Sequence, residues 1–157
     1  MKFVKGLLSL LLVFSLVACS NTEDKKNTFD HVAYTTLMTE CGANGMKAAY
    51  NTFVQDGNTE WLYSDMSKID GTYYEGIQTA VAAIEFVEGG TTGNAIARVV
   101  LQKGADIVYL YVYDNGTVSV RKDNDEMVYT VNQSAIDALV TEITNAYVAY
   151  EAFRAGK

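Results

Sequence analysis

The chain has 157 residues, 12 Lys and Arg against 19 Asp and Glu, a formal net charge of −7 and no proline. That acidity repels phosphate backbones and anionic headgroups, which excludes nucleic acid as a partner and basic adhesion as a means of holding a membrane. One histidine and two cysteines are too few for a zinc site, which takes three or four such ligands, so no metal or other cofactor is expected.

Residues 1–20 read MKFVKGLLSLLLVFSLVACS. Lys2 and Lys5 make a short basic start, and Leu7 to Val17 forms an apolar stretch of signal-peptide length. A bilayer-spanning helix needs about twenty apolar residues, so this stretch is too short to stay as a membrane span. It ends in Leu16-Val17-Ala18-Cys19, which resembles the lipobox of bacterial lipoproteins, where a small residue precedes a cysteine and a dedicated peptidase cuts between them. The resemblance covers residues 1–20 only. It implies a signal peptide over residues 1–18, a lipid of the palmitate type carried by Cys19, and a position outside the cytoplasm, tethered to the cell membrane. The residue types suit that chemistry. A thiol readily forms a thioether with a diacylglyceryl group, and Ala18 is small enough for the subsite before the cut. Two acyl chains hold stably where one is marginal, at about 0.8 kcal/mol per buried CH₂. Removing Lys2 and Lys5 would leave a formal charge of about −9, so the lipid is the expected membrane attachment. Ser20 is not the aspartate that often retains lipoproteins at an inner membrane, which favours the outer membrane if the cell envelope has two.

Residues 19–28 carry the lipidated cysteine and a polar run without apolar periodicity, read as a flexible tether. Residues 29–157 are expected to form a single α+β domain. From Asp30 to Gln55 the pattern is helical, with Tyr34, Leu37, Met38 and Cys41 on one stripe and Met46, Ala49, Tyr50 and Phe53 on another. Gly42 and Gly45 predict a break between them, with Asn44 as a cap, and Asp56-Gly57-Asn58 closes the segment. Residues 61–78 are ambiguous: Asp70-Gly71 suits a tight hairpin, whereas Thr72 to Glu75 has capping-box spacing. Ile77, Ala80, Val81, Ile84 and Val87 then predict a helix over Tyr73 to Glu88, stopped by Gly89-Gly90.

Four strands follow, at Ala95 to Gln102, Asp106 to Tyr113, Thr117 to Lys122 and Met127 to Asn132, separated by turn residues. A two-residue Asn115-Gly116 loop would pair Tyr113 with Val118 and Tyr111 with Val120. A four-residue loop at 123–126 would pair Val120 with Tyr129. In that register Ile107, Tyr109, Tyr111, Tyr113, Val118, Val120, Met127, Tyr129 and Val131 share one face, expected to meet the helices, while Val108, Leu110 and Val112 share the half-exposed other. Ser134 to Asp137 starts a last helix whose apolar stripe runs from Ile136 to Phe153. The expected fold is therefore α+β: N-terminal helices, a four-stranded antiparallel β-meander, and a C-terminal helix packed on one sheet face.

No pattern in the chain selects a chemistry. The sole histidine, His31, sits at the edge of the tether, and a continuous helix would hold it about 15 Å from Cys41 along its axis, which argues against a Cys–His dyad. Cys41 is expected as a small buried apolar residue. The carboxylates at 123–126 resemble a calcium loop only in charge, since Val128 stands where such a loop needs glycine. Glu88 to Asn94 is rich in glycine but lacks the lysine of a phosphate-binding loop. Nineteen acids offer many pairs for a carboxylate-based hydrolase of the cell envelope, and none stands out. Tyr109, Tyr111 and Tyr113 alternate and form a possible binding face, although such a row also fills a core well. The expected role is a non-catalytic binding or interaction module whose protein or small-molecule partner the sequence does not identify, with the envelope hydrolase as its alternative.

Overall fold

The computed structural model describes residues 29–53 and 59–157. The expected signal peptide, Cys19 and the expected tether lie outside the described residues, as does the expected closing turn at Asp56-Gly57-Asn58.

Helix α1 (His31–Cys41) starts where Asp30 Oδ1 accepts a hydrogen bond from the Ala33 N–H at 2.9 Å, the usual work of an N-cap carboxylate. It ends at Gly42, whose φ of +57° glycine adopts without steric cost and whose N–H donates to Met38 O. The sequence pattern continues helically beyond this point, but the chain does not. A 3₁₀ turn at Ala43–Gly45 leads into strand β1 (Met46–Phe53). The turn packs so closely that a Cβ on Gly45 would stand 2.6 Å from Gln102 O and 2.7 Å from Cys41 Cβ.

Strand β2 (Thr59–Asp65) pairs back on β1, and a second 3₁₀ turn, Met66–Lys68, precedes helix α2 (Gly71–Ala82). Asp70 is the N-cap of α2, accepting from the Thr72 N–H at 2.9 Å, so this stretch starts a helix rather than a hairpin, with the cap at Asp70 and not at the expected Thr72. The helix ends six residues before the expected Glu88, and Val87–Glu88 instead forms a short strand, β3, against β7 (Asp125–Thr130). Strands β4 (Ala95–Lys103), β5 (Asp106–Tyr113) and β6 (Thr117–Lys122) complete the sheet, and helix α3 (Gln133–Ala155) closes the chain.

The architecture is α+β with a seven-stranded antiparallel sheet in the order β2-β1-β4-β5-β6-β7-β3 and three helices. This corrects the four-stranded meander expected from the sequence; the C-terminal helix agrees. The added strands come chiefly from β1 and β2. Met46, Ala49 and Tyr50 fit a helical stripe, but Met46, Ala48 and Tyr50 fit a two-residue period equally well. Pairing with β2 on one side and β4 on the other settles the ambiguity for the strand.

The expected strand register is also corrected. The loop between β5 and β6 has three residues, Asp114 to Gly116, with Gly116 at φ +81°, so Val112 pairs with Val118 and Leu110 with Val120. A three-residue loop ending in a left-handed glycine is the next common hairpin after the two-residue one. The one-residue difference moves every β5 side chain to the opposite face. The loop at 123–126 likewise shortens to Asp123-Asn124, and Met127 rather than Tyr129 faces Val120. Consequently Val108, Leu110 and Val112 are fully buried under the helices, with Val118, Val120, Val99, Leu101, Met46 and Ala48 beside them. Tyr34, Met38, Ile77, Val81, Leu139 and Ile143 cover them from the helix side. All three helices pack on this face. Tyr109 and Tyr111 point away from it.

Candidate functional site: the open face of the sheet

Alternate residues of five strands make up the open face. The pairing of β2, β1, β4, β5 and β6 places Tyr63, Ala49, Arg98, Tyr111 and Ser119 in one row across the sheet. One step along the strands, Lys47, Val100 and Tyr109 make the next row, ending at Asp65 on β2. Trp61, two residues before Tyr63, lies on the same face.

Ala49 is the small residue that organises this surface. Its methyl group leaves room above β1, and the Arg98 side chain reaches across to the aromatic pair on β2. The guanidinium carbon lies 4.1 Å from the Trp61 ring centroid and 4.8 Å from that of Tyr63, with Tyr109 and Tyr111 each at 6.0 Å on the other flank. Arginine stacks on aromatic rings because its delocalised charge meets their negative faces and its weak hydration makes the contact cheap. Its hydrogen-bonding capacity is left over. Arg98 Nε is buried with no partner, and Arg98 takes part in no ion pair, among the described residues.

Tyr109, Tyr111 and Tyr113 form a ladder of near-parallel rings, with centroids 5.5 Å and 6.2 Å apart. Tyr109 and Tyr111 are half-buried, so edges and hydroxyls remain accessible. Tyr113 differs. It is buried, its Oη lies 2.9 Å from Ser119 Oγ, and both hydroxyls reach Glu126 Oε1, at 3.0 Å and 2.7 Å. Burial, with the Glu126 carboxylate adding to it and the Ser119 hydrogen bond partly offsetting it, pushes the Tyr113 phenol up to about 12. Tyr113 therefore acts as a fixed post that supports the ladder. A groove of about 400 Å³ runs beside the accessible part, bounded by Lys47, Tyr63, Asp65, Val100 and Tyr109 of the sheet and by Tyr150 of α3.

A larger hollow of about 770 Å³ lies elsewhere, between α1 and the β5 and β6 strands, bounded by Phe29, Val32, Leu37, Glu40, Lys103 and Lys122. Its cations are already paired, Lys103 with Glu40 at 2.6 Å and Lys122 with Asp106 at 3.3 Å. The contrast with Arg98 directs attention to the open face.

The remaining residues singled out by type sit apart. His31 is half-buried at the start of α1, stacked on Phe86 at 4.6 Å and edge-on to Tyr129 at 5.2 Å, and its backbone N–H donates to Tyr129 Oη at 3.2 Å. Cys41, half-buried rather than buried, closes the same helix, and its thiol donates to Gln102 O at 3.6 Å. Burial raises the thiol pKa, Lys103 opposes the rise and Glu40 adds to it, so Cys41 rests as a neutral thiol. Asp70 and Asp114 are held below the usual carboxylate range by hydrogen bonds from Thr72 and Asn94. No group of three or more His, Cys, Asp and Glu is placed to hold a metal ion among the described residues. No helix among them is long and apolar enough to cross a membrane.

Trp61, Tyr63 and Arg98 were not picked out by sequence reasoning. The two-residue spacing of Trp61 and Tyr63 was a signal, but an isolated aromatic pair next to a strong helix start did not define a strand.

No protein-family model and no curated protein matches the chain. Among solved structures, a crystal structure from Clostridium perfringens, of a protein provisionally named a lipoprotein, matches at 7% identity with a TM-score of 0.46. The match covers 74% of this chain and 94% of that one.

Proposed function

We propose that this chain is a bacterial lipoprotein, anchored by lipid on Cys19 outside the cytoplasm, that presents the open face of its sheet as a non-catalytic binding surface. The observation that carries the binding role is Arg98, a cation held among four aromatic rings with its donors uncommitted. A buried donor left without a partner costs about 1–3 kcal/mol, so hydrogen bonding within the described residues does not explain the placing of Arg98. The anchor rests on residues 1–20 and on their resemblance to a lipobox.

The hydrolase alternative would need a carboxylic acid kept protonated near neutral pH. Asp70 and Asp114 are held below the usual carboxylate range by hydrogen bonds from Thr72 and Asn94, the opposite direction.

Both halves of the proposal are testable in cells. A photo-crosslinking amino acid at Tyr111 should give a discrete adduct, while the same probe at Val148, 64% exposed on α3, should not. Equal labelling from the two positions would remove the binding face. Cys19→Ser should abolish palmitate labelling and release the protein from membranes; retained label would remove the anchor.

A further inference from the structure

We infer that the ligand of the open face is an acidic glycan, with a sugar carboxylate paired to Arg98 and the adjoining sugar ring lying in the groove beside Tyr63 and Tyr109. This rests on the binding role proposed above and adds the ligand's chemistry.

Charge is the first argument. The chain carries −7 in total, yet the centre of this face holds Arg98 without an acceptor among the described residues and Lys47 exposed beside the groove. Lys47 and Ala49, over which Arg98 lies, are two residues apart on β1, about 7 Å along the strand. Asp65 stands opposite Lys47 in the ladder, but its Oδ1 is engaged by the N–H and Oγ of Ser67, at 3.0 Å and 2.6 Å, and it forms no ion pair with Lys47. An uncompensated cation among aromatic rings favours an anion.

Shape is the second. The guanidinium carbon lies 4.1 Å from the Trp61 ring centroid and 6.0 Å from those of Tyr109 and Tyr111, so aromatic rings take up part of its surroundings. A guanidinium is a planar set of donors that matches the planar fork of a carboxylate.

The third argument separates glycan from peptide. Strands β1, β4 and β5 are interior to the sheet, so their backbone groups are spent in ladders with both neighbours. An extended peptide gains most of its affinity by adding a strand to an edge, and the edge that borders this face is β2, whereas Arg98 on β4 lies two strands in from it. What it offers is phenol hydroxyls, ring edges and one indole. A sugar ring brings hydroxyl groups for the first and apolar C–H groups for the others. The groove's volume lies within the range of about 300–1,000 Å³ found for small-ligand sites.

Trp61 is the chain's single tryptophan and it touches Arg98, so emission excited selectively from tryptophan reports on this site. The full-length lipidated protein in detergent micelles would be titrated with tri-galacturonic acid, with the neutral galactose trimer and with pentaglutamate. The acidic trisaccharide should give a saturable change that weakens with added salt, with the neutral trimer binding at least about tenfold more weakly. Arg98→Gln should abolish that preference, and Lys47→Gln, at an exposed position where folding is not at stake, should reduce it several-fold. Equal affinity for the acidic and neutral trimers overturns the inference. A response to pentaglutamate in place of the trisaccharide also overturns it, while leaving the binding face standing with a peptide ligand. A change in Trp61 emission on diluting the protein alone points to a second copy on the face and overturns it likewise. Silence with all three probes, together with no crosslink from Tyr111 in cells, removes the binding face itself.

Discussion

Val108, Leu110 and Val112 lie fully buried beneath three helices, whereas Ile107, Tyr109 and Tyr111, one residue out of phase on the same strand, reach the other side of the sheet. The centre of the covered face is aliphatic, built from Val99, Leu101, Val108, Leu110, Val112, Val118 and Val120, with Ser64, Tyr50 and Tyr129 around it. The open face is aromatic, carries Arg98 and Lys47, and keeps a buried hydrogen-bonded post at Tyr113. Aliphatic residues fill volume under a helix without needing partners, so they build a core. Rings with hydroxyl tips tolerate water at one end and an apolar neighbour at the other, so they suit a surface that is sometimes wet and sometimes covered. The two faces have different work, and substitutions should separate them.

The largest effect is expected on the covered side. Leu110→Ala removes a fully buried side chain and should destabilise the protein by about 2–5 kcal/mol, read as a lower urea midpoint at unchanged slope. Tyr111→Ala, on the half-exposed side, should cost clearly less. Equal losses would mean that the open face is as much a core as the other.

Which face a strand presents depends on one loop. Gly116 holds φ +81°, and a Cβ there would meet only Gln133 Oε1 at an ordinary 3.5 Å, so the cost of Gly116→Ala is in the backbone. It should be about 1–2 kcal/mol by the same denaturation measurement. This loop also explains what the sequence made legible and what it hid. The ends of β5 and β6 and the start of α3 were readable to within a residue because Val, Ile and Tyr runs stop at Gly104, Gly116 and Asn132. The face was not, since Asn115-Gly116 suits a two-residue turn and nothing local announces that Asp114 joins it. The reading of Met46 to Phe53 as helix failed for a related reason: its apolar spacing serves two periods, and only the neighbours β2 and β4 choose between them. Tyr109 and Tyr111 could be named from alternation alone. Arg98 could not, because its partners Trp61 and Tyr63 lie two strands away across the sheet.

The post beneath the tyrosine ladder has a pH signature. A phenol whose pKa is about 12 when folded and about 10 when unfolded holds its proton longer in the native state. Its contribution to stability is therefore fully present below pH 10 and is lost as the pH rises towards 12. Tyr113→Phe should cost about 1 kcal/mol at neutral pH through the lost hydrogen bonds to Ser119 and Glu126. It should also flatten the fall of stability between pH 10 and pH 12. Tyr34, buried with its hydroxyl donating to Val99 O at 2.9 Å, is likewise raised, so part of that fall should persist in the variant. An unchanged alkaline profile would place the high-pKa phenol elsewhere.

The smallest expected effect is the most informative about function. Arg98→Gln removes a cation stacked on Trp61 and Tyr63, a contact that contributes about 0.5–1 kcal/mol at a partly exposed site. Relief of the buried, unpartnered Nε offsets part of that loss. The denaturation midpoint should barely move while the Trp61 emission changes, because the charge beside the indole is gone. A residue kept for folding would behave the other way, shifting the midpoint by several kcal/mol as Leu110 should. A residue that costs little to remove yet sits at the centre of the open face is one whose favourable interactions await a ligand.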